Sequence, residues 1–170
     1  YSSYKNITEN IIFASKSSFS MDQDFPKQIA KFIDKHHVLT LATVKDGIPW
    51  CSSLFYAFIP ARNLLVFTSD PSTRHISEGL ANKSIAGSIV LETSVVGKIQ
   101  GIQFEGLLEK PEGRLEDELR LAYLRRFPFA VLLDSQIWYL DLVHIKLTDN
   151  RLGFGKKLIW HKNQPGGSVI

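Results

Sequence analysis

The sequence predicts a mainly β protein, built as a small closed or nearly closed antiparallel barrel with helices packed on its outside. Six or seven short segments carry the apolar runs or the alternation typical of strands, and short turns join most of them. Only three segments space their apolar residues as helices do. The regular alternation of strand and helix that a doubly wound nucleotide-binding fold requires is not found.

The predicted elements follow from local signals. Pro26 marks the start of a helix, Ile29, Phe32 and Ile33 share its apolar face, and it is expected to end near residues 35–37. The other predicted helices are 76–82 and 115–127. An Asp-Gly pair, typical of a tight hairpin, joins the first two strands. The predicted strands are 38–44, 49–58, 64–67, 85–91, 99–109, 137–147 and 156–161.

Length and composition indicate one globular domain, expected over residues 21–162. The chain has 170 residues, of which 44% are hydrophobic and 22% charged, as in ordinary globular proteins. Residues 1–20 are rich in Ser, Asn and Lys and precede Met21, the only methionine. We expect them to be an appended leader or a mobile arm, with a short helix packed on the body as the alternative. Residues 163–170 are expected to be a loose tail.

Charge and cysteine content narrow the class of function. The net charge is +3, but the cations are scattered, so the sequence predicts no nucleic-acid partner. No apolar run reaches the length of a membrane-spanning helix, and no signal peptide is recognisable. The single Cys51 excludes an internal disulfide framework and a cysteine-based zinc site. It fits a reducing compartment, so we expect a cytoplasmic protein without a metal site.

The loop at residues 68–75 is the candidate site that the residues themselves identify. It collects four hydroxyls, a guanidinium and an imidazole just before a predicted helix. The free N–H groups of a helix start attract anions, and arginine adds a forked donor that matches phosphate. The loop therefore predicts a site for a phosphate monoester, the alternative being ordinary N-caps beside a solvated arginine. These side chains are Thr68, Ser69, Ser72, Thr73, Arg74 and His75.

The order of the segments resembles the FMN-binding split-barrel family related to pyridoxamine 5′-phosphate oxidase, and is most similar to its YhbP-like branch. The resemblance covers residues 29–161 and is carried by LTLATV-KDG-IPWCSSLFYAF, LLVFTSDPSTRH, ANKSIAGSIV and IQFEG in that order. It implies a six- to seven-stranded antiparallel split β-barrel with helices packed outside. It also implies a homodimer that binds FMN in a groove between its subunits.

The resemblance also implies which residues would hold FMN. Thr73, Arg74 and His75 would bind the phosphate, and Thr68 and Ser69 would lie near the ribityl chain. The family usually has lysine where this chain has His75, and lysine keeps a positive charge that histidine need not keep. The ring system would lie against residues of both subunits of the dimer. These residues are Trp50, Cys51, Ser52, Ser53, Gln103 and Trp160.

The expected function is that of an FMN-dependent oxidoreductase acting on a small substrate. The sequence contains no Ser/His/Asp order and no paired carboxylates, which suits a protein whose cofactor supplies the redox chemistry. The substrate-handling Arg-Leu-x-Pro segment of true pyridoxamine-phosphate oxidases is missing near the C-terminus, so vitamin B6 oxidation is not expected. Three alternatives stay open: a deazaflavin in place of FMN, a non-enzymatic binder or sensor of a flavin, haem or similar planar ligand, and a dimeric interaction module with a vestigial groove.

Overall fold

The protein, described by a computed structural model over residues 25–132, 135–152, 157–163 and 168–169, is mainly β with three α-helices. The segment 1–20, expected to be a leader or arm, lies outside the described residues. The helices are α1 (Lys27–Lys35), α2 (Arg74–Ala81) and α3 (Arg114–Arg126). The strands are β1 (Val38–Lys45), β2 (Ile48–Phe55), β3 (Ala57–Ile59), β4 (Leu64–Ser69), β5 (Ser84–Val90), β6 (Gln100–Glu109), β7 (Gln136–Asp149), β8 (Lys157–His161) and β9 (Ser168–Val169).

The described strands form one antiparallel sheet in the order β2-β1-β5-β6-β7-β4-β3, with β8 paired to β7 and β9 to β8. The first half of β7 pairs with β4, from Ser69 opposite Gln136 to Leu64 opposite Asp141. Its second half pairs with β8, and β6 runs along its other edge. β2 contacts β4 without being its hydrogen-bonded neighbour. The sheet therefore curls into a barrel with an open seam, and the predicted split-barrel class is confirmed.

The barrel interior is filled by apolar side chains from alternate positions of the strands. The predicted stripe Ile29, Phe32 and Ile33 of α1 packs into this core, and α2 contributes Ile76. A second cluster lies outside the barrel, where Leu119 of α3 packs on β3, β4 and the start of β7. Residues 64–67 are buried on both faces of the sheet for this reason, as their continuous apolar run predicts.

The C-terminal end of α1 is held by side chains from two other parts of the chain. The last carbonyls of a helix lack intrahelical partners. The Tyr56 hydroxyl donates to the carbonyl oxygen of Ile33 at 2.6 Å. Arg126, at the end of α3, donates from Nη2 to the carbonyl oxygens of Asp34 and His36, both at 2.6 Å. Arg126 thus ties α3 to the turn that leads into β1.

The predicted strand 49–58 is wrong in one respect, because the chain forms two strands there. β2 pairs with β1, whereas β3 pairs with β4 at the other end of the sheet. Tyr56 separates the two strands and is fully buried, with its hydroxyl on α1. Its alternating apolar neighbours continue the strand pattern across the break, so the pattern alone does not reveal it.

The outward face of β2, β1, β5, β6, the second half of β7 and β8, which we call the open face, is not covered by any described helix. Several of its apolar side chains are exposed, and Phe55 and Val90 keep 58% and 66% of their surface accessible. None of the described helices has the length and apolar character needed to span a membrane. The exposed apolar residues of the open face are Val38, Val44, Phe55, Val90, Leu107 and Val143.

Candidate functional site

The middle of the open face forms a shallow cavity of about 420 Å³. The strand registers place most of its lining in two rows that cross the sheet. The first row runs from Cys51 through Ala42, Ala86 and Glu105 to His144. In each row small side chains lie in the centre and larger polar ones at an end, so the floor is flat enough for a planar ligand. The second row is Ser53, Thr40, Ser88, Gln103 and Lys146.

Three titratable side chains meet at the β6–β8 side of this cavity. The rings of His144 and His161 stack at 4.2 Å between centroids and 7° between planes. His144 Nδ1 lies 3.7 Å from Glu105 Oε1, too far for a hydrogen bond but close enough for an ion pair when the ring is protonated. The Nε2 atom of His144 is buried without a hydrogen-bond partner among the described residues. The sequence offers no sign of this pair, because the two histidines meet only through the β7–β8 pairing.

The hydroxyls of the predicted phosphate loop are largely bonded to one another. Ser69 Oγ lies 2.8 Å from Nε2 of His75 and 3.1 Å from Oγ1 of Thr73. Asp70 accepts the backbone N–H and the hydroxyl of Ser72 at 2.7 and 2.6 Å. Thr68 is also near a partner, the hydroxyl of Tyr123 at 3.4 Å. Binding an anion through these hydroxyls would therefore require this closed network to rearrange.

Arg74 is held in place by a chain of contacts. Its Nε donates to Oε1 of Glu78 at 2.6 Å, and Oε2 of Glu78 accepts from the hydroxyl of Thr43 at the same distance. These two hydrogen bonds, with that of Thr43 the stronger cause, lower the pKa of the buried Glu78 carboxyl. The guanidinium of Arg74 lies over the Trp50 ring, 4.3 Å from its centroid. Arg74 thus presents an oriented, half-exposed cation beside an indole.

His75 does not replace the positive charge of the lysine that the related family usually has. Burial lowers the pKa of the His75 imidazole, and the opposing effect of Glu78 is the smaller one. The ring is therefore neutral at pH 7, since its ordinary pKa is already about 6.5. Thr73 is the N-cap residue of α2 but its side chain makes no capping hydrogen bond, so the first N–H groups of the helix lack that partner. The positive charge at this helix start comes from Arg74 and the helix itself.

The structure divides the predicted ring-binding residues between the two sides of β2. Successive strand residues face opposite ways. Trp50 accordingly meets Arg74, whereas Cys51 lines the open-face cavity; Ser52 and Ser53 alternate in the same manner. Gln103 lines the open-face cavity. Trp160 does not join this site, because it is 1% exposed and packs in the core, 4.8 Å from the Phe25 ring.

Comparison with known proteins finds one clear group of relatives. The chain is 40% identical over 132 residues to the UPF0306 protein YhbP of Salmonella schwarzengrund (strain CVM19633), covering 78% of this chain and 90% of that protein. No protein-family model matches the chain.

Solved structures share the fold at low sequence identity. A haem-binding protein from Mycobacterium smegmatis superposes with a TM-score of 0.67 at 20% identity, covering 81% of this chain and 59% of that one. An FAD-binding protein from Mesorhizobium loti gives a TM-score of 0.60 at 17% identity, covering 71% of this chain and 92% of that one. Identities this low establish a common split-barrel fold and nothing more specific.

Proposed function

The chain belongs to the UPF0306 family of YhbP proteins, and we propose that it binds a flavin such as FMN with the phosphate at the start of α2. The observation that carries the proposal is the guanidinium of Arg74, held over Trp50 by buried Glu78. An oriented guanidinium loses less conformational freedom on binding phosphate than a mobile one. The uncapped helix start beside it offers N–H donors to the same anion.

The flavin ring would lie on the open face next to β2. Trp50 and Cys51 are adjacent on this edge strand, one beside Arg74 and the other in the cavity. A ligand anchored at Arg74 can therefore reach the open face around the edge of the sheet. Ala42 and Ala86 leave a flat floor there, and Gln103 supplies a polar edge. The flavin-binding and haem-binding proteins that share the fold support a planar ligand in general terms.

A bound flavin supplies two-electron redox chemistry, so the proposed activity is that of an oxidoreductase on a small substrate. The chain's own contribution would be binding and orientation. His144 and Glu105, whose Nδ1 and Oε1 lie 3.7 Å apart, are the polar groups at one side of the cavity that would contact the ligand or substrate. Steady oxidation of a reduced nicotinamide with a dye acceptor would support an enzyme. Tight flavin binding without turnover would leave a binding protein.

Replacement of Arg74 by alanine is expected to weaken FMN binding about tenfold or more, because a charge-assisted hydrogen bond contributes about 1.5–3 kcal/mol. Quenching of flavin fluorescence during titration measures the dissociation constant. Arg120→Ala is the matched control, since Arg120 also pairs with a glutamate four residues away in a helix but lies on α3. Equal affinity of the Arg74→Ala variant and the unaltered protein for FMN would show that the phosphate does not bind at the start of α2.

Haem is the second candidate ligand, and one observation favours it. His144 lines the cavity, and its ring stacks on that of His161. Neutral imidazole is a common axial ligand of haem iron. The same titration with haemin separates the two ligands. A Soret shift that Arg74→Ala leaves unchanged, with no flavin binding, would favour haem over flavin.

We also propose that a second copy of the chain covers the open face in a homodimer. Its exposed apolar side chains surround the cavity, as at protein interfaces rather than at ordinary surfaces. Leu107→Lys is expected to convert the dimer into a monomer, because a charge would be buried in the interface. Sedimentation velocity measures the mass. Leu121→Lys is the control. It introduces the same charge at an exposed position of α3, outside the open face, so this variant should stay dimeric.

A further inference from the structure

A second cavity, of about 270 Å³, lies between α1 and the ends of β6 and β7; we call it the α1 cavity. It is separated from the open face by the sheet itself. Gln100 and Leu147, which line it, point to the barrel side of β6 and β7, whereas Gln103 and Lys146 of the same strands line the open-face cavity. The proposed flavin site does not use any residue of the α1 cavity.

The α1 cavity carries more positive than negative charge. Lys31, Lys35 and Arg151 line it, against the single carboxylate of Asp149. That carboxylate is already engaged, because it accepts from Nε, Nη2 and the backbone N–H of Arg151 at 3.0, 2.8 and 3.0 Å. The two lysines lie four residues apart on one face of α1 and have no ion-pair or hydrogen-bond partner among the described residues. Both lysines are exposed residues that line the cavity, so the cavity carries positive charge that no described carboxylate pairs with.

Two buried polar side chains, Gln100 and Asp149, lie among the residues that line the α1 cavity. Gln100 and Asp149 are direct partners across β6 and β7 and are only 7% and 8% exposed. The Gln100 amide makes one hydrogen bond to a described residue, from Nε2 to the carbonyl oxygen of Lys98 at 3.4 Å. That distance is long for an N–H···O bond. A buried amide with so weak a partner retains hydrogen-bonding capacity for a ligand.

We propose that the α1 cavity binds the phosphate group of a small phosphorylated compound. Lys31 and Lys35 would neutralise the dianion, and the Gln100 amide would donate to it. Nη1 of Arg151, which the pair with Asp149 does not use, adds a further donor. Phe32 and Leu147 form an apolar wall for the rest of the molecule. A volume of about 270 Å³ is slightly below that of pockets for drug-sized ligands, which favours a small compound.

Inorganic phosphate is the probe, titrated against chloride at matched ionic strength and followed by calorimetry and by NMR of the side-chain amides. We expect saturable binding that shifts the Gln100 amide signals. Lys31→Gln with Lys35→Gln should weaken it about tenfold or more, since two charge-assisted contacts are lost. The control Lys45→Gln with Lys110→Gln removes the same net charge outside the cavity and should stay within about twofold of the unaltered protein.

Three results would overturn the proposal: absence of saturable binding, an equal loss in the control pair, or abolition of binding by Arg74→Ala, which would place the phosphate at α2 instead. The proposed flavin site can fail without affecting this test, because it shares no residue with the α1 cavity. Co-sedimentation with phosphatidylglycerol vesicles identifies the source of the group. Sedimentation that Lys31→Gln with Lys35→Gln abolishes supports a lipid headgroup, and phosphate binding without sedimentation supports a free phosphate ester.

Discussion

Arg126→Met is expected to lower the free energy of unfolding by about 1.5–3 kcal/mol, since it removes hydrogen bonds from a charged donor to the last carbonyls of α1. Nη2 of Arg126 serves the carbonyl oxygens of Asp34 and His36, and Nη1 reaches Oδ1 of Asp34 at 3.2 Å. The Arg126 side chain is only 19% exposed, so water cannot fully replace it. Methionine keeps most of the packing volume and removes the donors.

Urea unfolding followed by tryptophan fluorescence measures this change, and a fall of about 5–10 °C in Tm is the corresponding thermal result for a domain of this size. Arg125→Met is the matched control, because Arg125 is the exposed neighbour on the same helix turn. It is expected to change stability by no more than about 0.5 kcal/mol. Equal effects of the two variants would show that the link between α3 and α1 contributes little.

Gly87→Ala is expected to destabilise the protein by about 2–3 kcal/mol through overpacking. A Cβ atom on Gly87 would lie 2.3 Å from Cζ of Phe104 and 2.6 Å from the carbonyl oxygen of Thr40. The Phe104 ring is 2% exposed and belongs to the barrel core, and the carbonyl is backbone of the paired strand β1. Neither can move without disturbing the floor of the open-face cavity.

Thermal unfolding measures the Gly87→Ala effect, and Gly97→Ala is its control. A Cβ on Gly97 meets nothing within 4 Å, so stability should stay within about 0.5 kcal/mol of the unaltered protein. Ligand titration adds a second readout, because displacement of the β5 backbone at Gly87, which lines the cavity, should also weaken flavin binding. An alanine variant as stable as the unaltered protein would mean that β1 and β5 separate at little cost.

Local sequence patterns predicted the fold class and most elements, because each depends on residues close together in the chain. The apolar run at 64–67 and the stripe on α1 are examples. The division of 49–58 into two strands could not be predicted, since it depends on Tyr56 reaching the carbonyl of Ile33 on a distant helix. The burial of Trp160 was missed for the same reason, as its contact with Phe25 spans nearly the whole domain.

The candidate site was predictable only where its parts are contiguous. The loop with Arg74 and His75 is one short segment, but the helix predicted over 76–82 begins at Arg74, so Arg74 and His75 lie in its first turn rather than before it. The buried partner Glu78 lies one turn further on, but its role depends on Thr43 from another strand. The rows of the open face, and the meeting of His144 with His161, arise from the strand order, which local patterns do not determine.

The pairing of β4 with β7 also sets an order of events during synthesis of the chain. Residues 64–69 leave the ribosome well before residues 136–141, their partners on one edge. Until then β4 has only the three-residue β3 beside it, and an isolated two-stranded hairpin is marginally stable in water. Until β7 emerges, the nascent chain therefore holds β4 without a partner on one edge, although the apolar residues of β4 are buried in the folded protein. Chaperone dependence during translation is the expected consequence of placing this partner so late in the sequence.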